Sequence, residues 1–285
     1  MFQNFWYVTV EITEQLPVSV VRDIQLPYVI DDYRVHTGLR ITKINKQVAS
    51  PPFLTRGTQV GGMTLPVISV DQMRTVDEVV PDEYGITVSR MMENAGYQLA
   101  AFVRQEVDAE RVHVYAGAGN NGGDGLAAAR RLHLWGYDVA VMLASDELNG
   151  IREEELAILR RLDVPVDEQP EEAPDVIIDA LIGYSLDGNP RPPFDGLIDV
   201  INESGATVVS VDVPSGVDAE TGEEKQPHVH ADYTVTLALP FDGFDDTDAT
   251  GEVWVADISV PPAVYDRFGV DARAVFRERS LVPYR

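Results

Sequence analysis

The feature that most constrains the fold is an alternation of short apolar segments and helical segments between residues 111 and 257. The apolar segments contain few polar residues, which is typical of strands that are buried on both faces of a parallel sheet. The sequence therefore predicts an α/β protein with three αβα layers and a mostly parallel central sheet. The predicted strands are 111–116, 138–143, 175–181, 206–213, 232–239 and 252–257, and the predicted helices between them are 123–135, 151–162 and 195–202.

Two further helices are predicted before the first strand. Ser69 and Gln72 have the spacing of a capping box, and apolar residues then recur at helical intervals, which predicts a helix over 70–80. A second helix is predicted over 87–107, where an apolar stripe recurs at intervals of three or four residues. The residues of that stripe are Met91, Ala95, Leu99 and Phe102.

The charge of the chain changes near Met63. The first 62 residues hold five acidic and six basic residues, a net +1, so the remainder carries −26 of the total charge of −25. We therefore expect 1–62 to be an N-terminal extension. The alternative is that translation starts at Met63 and that the native protein lacks these residues. A single αβα domain is predicted over 63–272 and a C-terminal tail over 273–285.

Composition excludes several classes of function. A net charge of −25 disfavours nucleic acid and anionic lipid as partners, and the absence of cysteine excludes disulfides and thiolate metal sites. No apolar run approaches the ~18 residues of a membrane span, and the N-terminus lacks the pattern of a secretory signal, so we expect a cytoplasmic protein with no membrane partner. The acid-rich body, in which Lys225 is the only lysine after Met63, resembles proteins of salt-loving microbes.

A glycine-rich segment follows the first predicted strand. Gly117, Gly119 and Gly122 give the pattern G-x-G-x-x-G between a strand and a helix, where the backbone can approach a phosphate. Asn120, Asn121 and Asp124 lie among these glycines, and such polar side chains in a cramped segment indicate a ligand. Asp124 has an alternative role as the cap of a helix that begins near Gly125.

Two acidic residues lie in or directly after apolar strands. Asp179 is placed inside the third predicted strand, where a carboxylate is costly unless it has a partner. Asp212 is placed between valines at the carboxyl end of the fourth, where desolvation favours a role as general acid or base. The alternative for Asp212 is a structural carboxylate that accepts hydrogen bonds from its own turn.

Four segments resemble, in order and spacing, the NAD(P)H-hydrate epimerases of the YjeF N-terminal domain family. The resemblance covers about 67–262 and implies a Rossmann-like fold that interconverts the R and S forms of NADHX and NADPHX, nicotinamide cofactors hydrated at C6. It implies a standalone epimerase that works ahead of a separate ADP- or ATP-dependent dehydratase, and a homodimer. The four segments are MMENAG at 91–96, NNGGDG at 120–125, DALIG at 179–183 and SVDVPSG at 210–216.

The resemblance also implies roles for individual residues. Asp212 is the expected catalytic residue, and one potassium ion per subunit is expected on Asn121, Asp179 and Ser215. These donors are oxygen atoms, which suit potassium and not a transition metal. The residues implied to bind the substrate are Asn120, Asn121, Gly122, Gly123, Asp124, Gly183, Tyr184, Ser185, Leu186, Asp187, Gly188, Asn189 and Asp212.

The sequence departs from the family pattern at two places. Asp187 stands where members commonly have lysine, and Pro240-Phe241 stands where they have Pro-Lys. Arg191 is a candidate to replace the lost cation near the substrate's phosphates. A non-catalytic nucleotide-binding or RNA-associated module on the same fold is the alternative function, although the acids at Asp124, Asp179 and Asp212 favour the enzyme.

Overall fold

The predicted alternation of strands and helices is confirmed in a computed structural model, which describes residues 65–145, 147–167 and 172–284. The predicted extension 1–62 and the alternative start at Met63 lie outside the described residues. The strands are β1 Arg111–Ala116, β2 Asp138–Leu143, β3 Val176–Ala180, β4 Thr207–Val211, β5 Tyr233–Leu237, β6 Glu252–Ala256 and β7 Leu281–Pro283. The helices are α1 Val70–Tyr84, α2 Val88–Glu106, α3 Asn120–Leu134, α4 Ile151–Arg161, α5 Phe194–Glu203 and α6 Pro262–Tyr265, with 3₁₀ turns at Asp242–Asp246 and Asp266–Phe268.

The strands form one sheet in the order β2-β1-β3-β4-β5-β6-β7. All pairs are parallel except β6 with β7, so the predicted mostly parallel sheet is confirmed. The segment 273–285, predicted as a tail, contributes β7 to the sheet. This strand has only three residues, which is too short for a recognisable strand pattern in the sequence. Because β1 has β2 on one side and β3 on the other, the direction of winding reverses beside β1, and ligands of such sheets bind at the carboxyl ends of strands near that point.

Helices cover both faces of the sheet. On one face, Ile198 and Ile201 of α5 pack against Ile177 and Val208. Residues of α1 to α4 contribute to the larger core that contains the alternating positions of β3 and β4, which include Ile178 and Val209. No helix in the described ranges is both long enough and apolar enough to cross a membrane.

The ends of α1 follow from its sequence. Ser69 Oγ accepts a hydrogen bond from the Gln72 N–H at 3.2 Å, and Gln72 Oε1 accepts one from the Ser69 N–H at 3.0 Å, so the predicted capping box is confirmed. The helix runs four residues beyond the predicted end at 80 and includes Pro81 in its last turns. It ends where Gly85 adopts a left-handed conformation with φ 65°.

The segment MMENAG at 91–96 connects α2 with α3. Glu93 accepts hydrogen bonds from Arg130 Nη2 at 2.5 Å and from Arg131 Nη2 at 3.2 Å. A Cβ atom on Gly96 would lie 2.5 Å from Ala127 Cβ, so glycine permits the close approach of the two helices. This part of the family resemblance therefore has a structural role in the described part of the chain.

Candidate functional site

The three segments that follow β1, β3 and β4 meet at one edge of the sheet, as the sequence predicts for adjacent parallel strands. The Gly117 N–H donates to the Ala180 carbonyl at 2.9 Å, which joins the segment after β1 to the end of β3. A Cβ on Gly117 would lie 2.0 Å from the Leu181 carbonyl oxygen, and a Cβ on Gly122 would lie 1.8 Å from the Gly117 oxygen. The glycines are therefore required by close contact between backbones.

Helix α3 begins at Asn120, three residues before the predicted start at 123. The prediction began too late because asparagine and glycine are poor helix formers, and here the contacts with α2 and the sheet override that preference. Asn120 and Asn121 thus lie in the first turn, where backbone N–H groups have no partner within the helix and favour an anion. The N-cap is Gly119, which has no side chain to satisfy them.

The predicted alternative for Asp124, a helix cap, is wrong. Asp124 lies inside α3, five positions after the N-cap, and its side chain is buried. Burial raises the pKa of Asp124 well above its ordinary value, and the neighbouring charges of Asp212 and Asp77 raise it further. A helix-interior acid in this state is free for a role other than capping.

The side-chain amide of Asn121 lacks hydrogen-bond partners although it is buried. Its amide Nδ2 and Oδ1 are buried, and neither has a hydrogen-bond partner among the described residues. A buried amide without partners is costly, and its presence indicates a group that binds there. Asn120 is exposed by contrast, and its Oδ1 accepts a hydrogen bond from Arg152 Nη1 at 2.9 Å.

Asp179 has the partners that its position in β3 requires. One carboxylate oxygen accepts from Ser215 Oγ at 2.6 Å and from the Leu181 N–H at 3.2 Å. The other accepts from Ser210 Oγ at 2.8 Å and from the Ser215 N–H at 2.9 Å. Complete burial nevertheless raises the pKa of Asp179, and these hydrogen bonds oppose the rise. The carboxylate thereby joins the end of β3 to the turn after β4.

Asp212 follows β4 directly, in the left-handed conformation with φ 65°. Its Oδ2 accepts a hydrogen bond from the Tyr184 N–H at 3.3 Å, which belongs to the segment after β3 and not to the turn of Asp212 itself. Burial raises the pKa of Asp212 to about 7, with a smaller contribution from the charge of Asp77. Both protonation states are therefore populated near neutral pH, as a general acid and base requires.

Gly183 brings the amide and the acid together. A Cβ atom built on Gly183 would lie 3.2 Å from Asp212 Oδ2 and 3.3 Å from Asn121 Oδ1. The predicted residues Asn121 and Asp212, which are 91 positions apart in the sequence, thus face the same glycine. In the segment after Tyr184, the predicted residues Ser185, Asp187, Gly188 and Asn189 are exposed and Leu186 is half-buried.

Two residues outside the predicted set contact the candidate site. Asp77 on α1 accepts a hydrogen bond from the Tyr184 phenol at 2.5 Å. Arg152, at the start of α4, reaches Asn120 as described above. Neither has a local signal, because each looks like one more surface charge on an amphipathic helix. Arg191, predicted to replace a lost cation, is exposed.

The described residues contain no group of three or more His, Asp or Glu side chains placed to hold a metal ion. The potassium ligands implied by the resemblance are of a different type, an amide, a carboxylate and a hydroxyl. Ser215 Oγ, besides its bond to Asp179, accepts from the Ile182 N–H at 2.8 Å. Asn121 is therefore the member of this set with unused donor and acceptor capacity.

The fold and the position of these residues define a class, an αβα protein with a cluster of polar side chains at the reversal point of a mostly parallel sheet, where such proteins bind their ligands. Residues 88–243 match the family model described as YjeF-related protein N-terminus, and the chain belongs to that family.

Relatives at the level of sequence carry consistent names. The chain is 39% identical over 223 residues to an NAD(P)H-hydrate epimerase of Dehalogenimonas lykanthroporepellens, covering 75% of this chain and 90% of that protein. It is 38% identical over 220 residues to the bifunctional NAD(P)H-hydrate repair enzyme Nnr of Hyperthermus butylicus, covering 72% of this chain but only 40% of that longer protein. The crystal structure of the yeast protein ynu0 is 28% identical with a TM-score of 0.68, covering 77% of this chain and all of that one. The predicted family resemblance is confirmed.

Proposed function

We propose that this chain interconverts the R and S forms of hydrated nicotinamide cofactor, NADHX or NADPHX, at C6. The observation that carries the proposal is that Asp212 Oδ2 and Asn121 Oδ1 both face the Cβ position of Gly183. The family and the printed names of its epimerase relatives support the substrate class. The non-catalytic alternative has no such support, since the three acids Asp124, Asp179 and Asp212 are all present and buried.

Asp212 acts as the general acid and base. The C6 hydroxyl is attached beside the ring nitrogen, so its departure is assisted by the nitrogen lone pair. Protonated Asp212 donates its proton to that hydroxyl, the C6–O bond breaks, water leaves and a carbon–nitrogen double bond forms. Water then adds to the other face of the planar centre and releases its proton to solvent, and the Asp212 carboxylate takes up a proton from solvent before the next turnover. The pKa of about 7 suits a group that must both donate and accept.

The proposed substrate site comprises the first turn of α3 and the segment after β3. The helix N–H groups at Asn120 to Asp124 suit the diphosphate of a dinucleotide, and Gly183 to Asn189 lie beside Asp212. One potassium ion per subunit is proposed on Asn121, Asp179 and Ser215, whose oxygen atoms suit a hard cation. Such a cation would supply fixed positive charge in the site, and the buried amide of Asn121, which has no hydrogen-bond partner among the described residues, would be a ligand for it.

The proposed cellular setting follows the family. The chain supplies the epimerase activity, and an NAD(P)H-hydrate dehydratase consumes the S form. We place the catalytic domain from Met63 onward, in the cytoplasm of a salt-rich cell, and propose a homodimer.

The test supplies R-NADHX together with a purified dehydratase and follows the return of NADH absorbance. The wild-type protein should accelerate that return above the spontaneous rate. Asp212→Asn should retain its circular dichroism spectrum but lose the acceleration, and Asp218→Asn, a substitution at a carboxylate that accepts hydrogen bonds from its own turn, serves as the matched control. Undiminished turnover by Asp212→Asn would remove Asp212 from the mechanism.

A further inference from the structure

Tyr184 connects two acidic residues that belong to different elements. Its phenol donates to Asp77 Oδ2 at 2.5 Å, and its backbone N–H donates to Asp212 Oδ2 at 3.3 Å. Its ring packs against Phe241 with 5.7 Å between the centroids. The residue is therefore held at its ring, its hydroxyl and its backbone.

Asp77 is carried by a helix that is itself fixed. Val76 and Val80 on the same helix are fully buried in the core. At the helix start, the Val70 N–H donates to Glu220 Oε2 at 2.7 Å, in addition to the capping box. The Asp77 carboxylate is half-buried, and this burial raises its pKa while the Tyr184 hydrogen bond opposes the rise. Helix α1 precedes the residues matched by the family model, 88–243, so that match does not include Asp77.

Gly183, the residue before Tyr184, explains why the segment after β3 is held by a contact with α1. Gly183 has no side chain, and its hypothetical Cβ would already contact Asp212 and Asn121. The segment after β3 therefore has no side-chain anchor at its point of closest approach to the site. Tyr184 is the first residue after that point with a side chain, and its hydroxyl reaches α1.

We propose that Asp77 is a positioning residue, which acts through the Tyr184 phenol to hold the Tyr184 N–H against the Asp212 carboxylate. The inference rests on the proposed function, in which Asp212 exchanges protons with the substrate. The Tyr184 N–H holds Oδ2 of Asp212 in place, in addition to the backbone hydrogen bond that the same carboxyl accepts from Leu237. Asp77 itself touches no reacting atom.

The kinetic test uses variants that separate the hydrogen bond from the charge. Tyr184→Phe and Asp77→Ala remove the bond, and each should lower kcat about tenfold with a smaller change in KM, the effect expected for one hydrogen bond to a charged group. Asp77→Asn keeps a carbonyl oxygen that accepts from the phenol, and should retain most of the activity. The double variant Asp77→Ala/Tyr184→Phe should be no slower than either single variant, because both remove the same bond.

Glu78→Ala is the matched control, since Glu78 is the exposed next residue of the same helix. It should match the wild-type kcat. Wild-type kcat in folded Asp77→Ala and Tyr184→Phe would overturn the inference, as would a double variant about a hundredfold slower, which indicates independent roles. A wild-type protein without epimerase activity would instead overturn the proposed function.

A crystal structure of the Asp77→Ala variant gives a second readout that needs no activity. The Tyr184 N–H should move away from Asp212 Oδ2 while β3 and β4 stay in place. An unchanged contact would overturn the inference even if kcat fell. Thermal unfolding of each variant identifies any loss of activity that comes from unfolding alone.

Discussion

The Ser215 hydroxyl donates a hydrogen bond to Asp179 Oδ1 at 2.6 Å, and the Ser215 N–H donates to the other oxygen of the same carboxylate at 2.9 Å. A single residue of the turn after β4 thus satisfies both oxygens of a fully buried acid in β3. Ser215→Ala removes the first bond and leaves a buried carboxylate with less support. We expect the free energy of unfolding in urea to fall by about 1.5–3 kcal/mol.

Ser210→Ala separates structure from cation binding. Ser210 Oγ donates to Asp179 at 2.8 Å, but it is not among the proposed potassium ligands. Both alanine variants should lose stability, whereas only Ser215→Ala should weaken the activation of turnover by potassium chloride relative to choline chloride. Equal potassium dependence in the two variants would remove Ser215 from the proposed ligand set.

The buried acids also give the protein a pH dependence of stability. Burial raises the pKa of Asp212 from 3.8 to about 7, so between these values the folded protein binds more protons than the unfolded chain. The free energy of unfolding contributed by Asp212 therefore falls as pH rises from about 4 to about 7 and stays level above that range. The full difference corresponds to about 4 kcal/mol.

Urea denaturation of the wild type and Asp212→Asn at pH 5 and pH 8 measures this contribution. The variant should lose less stability than the wild type over that interval, by about 1–3 kcal/mol. Glu78→Gln removes one charge at an exposed position and should behave as the wild type does. Parallel curves for Asp212→Asn and the wild type would contradict the raised pKa.

The sequence predicted most of the architecture because the strands are apolar on both faces and the helices carry clear stripes. Strand β1 was predicted with the same ends as in the structure, Arg111–Ala116. The predicted start of α3 was wrong because tertiary contacts determine where this helix begins. Gly119, Asn120 and Asn121 have low helix propensity, yet α3 begins among them. Strand β7 has three residues and depends on its pairing with β6.

The same division applies to the site. Asp179 and Asp212 could be selected from the sequence, because each is an acidic residue among the apolar residues of a strand or its end, and a buried carboxylate there is costly without a partner. Asp77 and Arg152 were not, because their significance comes from Tyr184 and Asn120, which are far away along the chain. Sequence patterns report burial and local geometry, whereas such partners are fixed only by packing.

Gly183→Ala tests the space between Asn121 and Asp212. The new methyl group would lie 3.2 Å from Asp212 Oδ2 and 3.3 Å from Asn121 Oδ1, within the region proposed for the substrate. We expect kcat/KM to fall at least tenfold while the melting temperature changes little, because the contacted atoms are the ends of side chains. Gly196→Ala in the first turn of α5 has no atom within 4 Å of the new Cβ and should retain full activity.

Arg152 is the cation expected to meet the phosphates of the substrate. Its Nη1 donates to Asn120 Oδ1 at 2.9 Å and its Nη2 to Asn149 Oδ1 at 2.5 Å, which holds the guanidinium beside the first turn of α3. In a chain with a net charge of −25, a local positive group adds to the attraction that the helix N–H groups exert on an anionic substrate. Arg152→Ala should therefore raise KM about three- to tenfold and leave kcat nearly unchanged, because the contact is the same in the ground and transition states.

Steady-state kinetics of Arg152→Ala, Arg152→Lys and Arg191→Ala at several potassium chloride concentrations decide between the two arginines. Arg152→Lys keeps the charge but loses the planar fork, so its KM should lie between those of the wild type and the alanine variant. The KM of Arg152→Ala should also respond less to salt, since the screened interaction is absent. A raised KM in Arg191→Ala with a normal KM in Arg152→Ala would place the phosphates on the exposed segment after β3 and not at the start of α3.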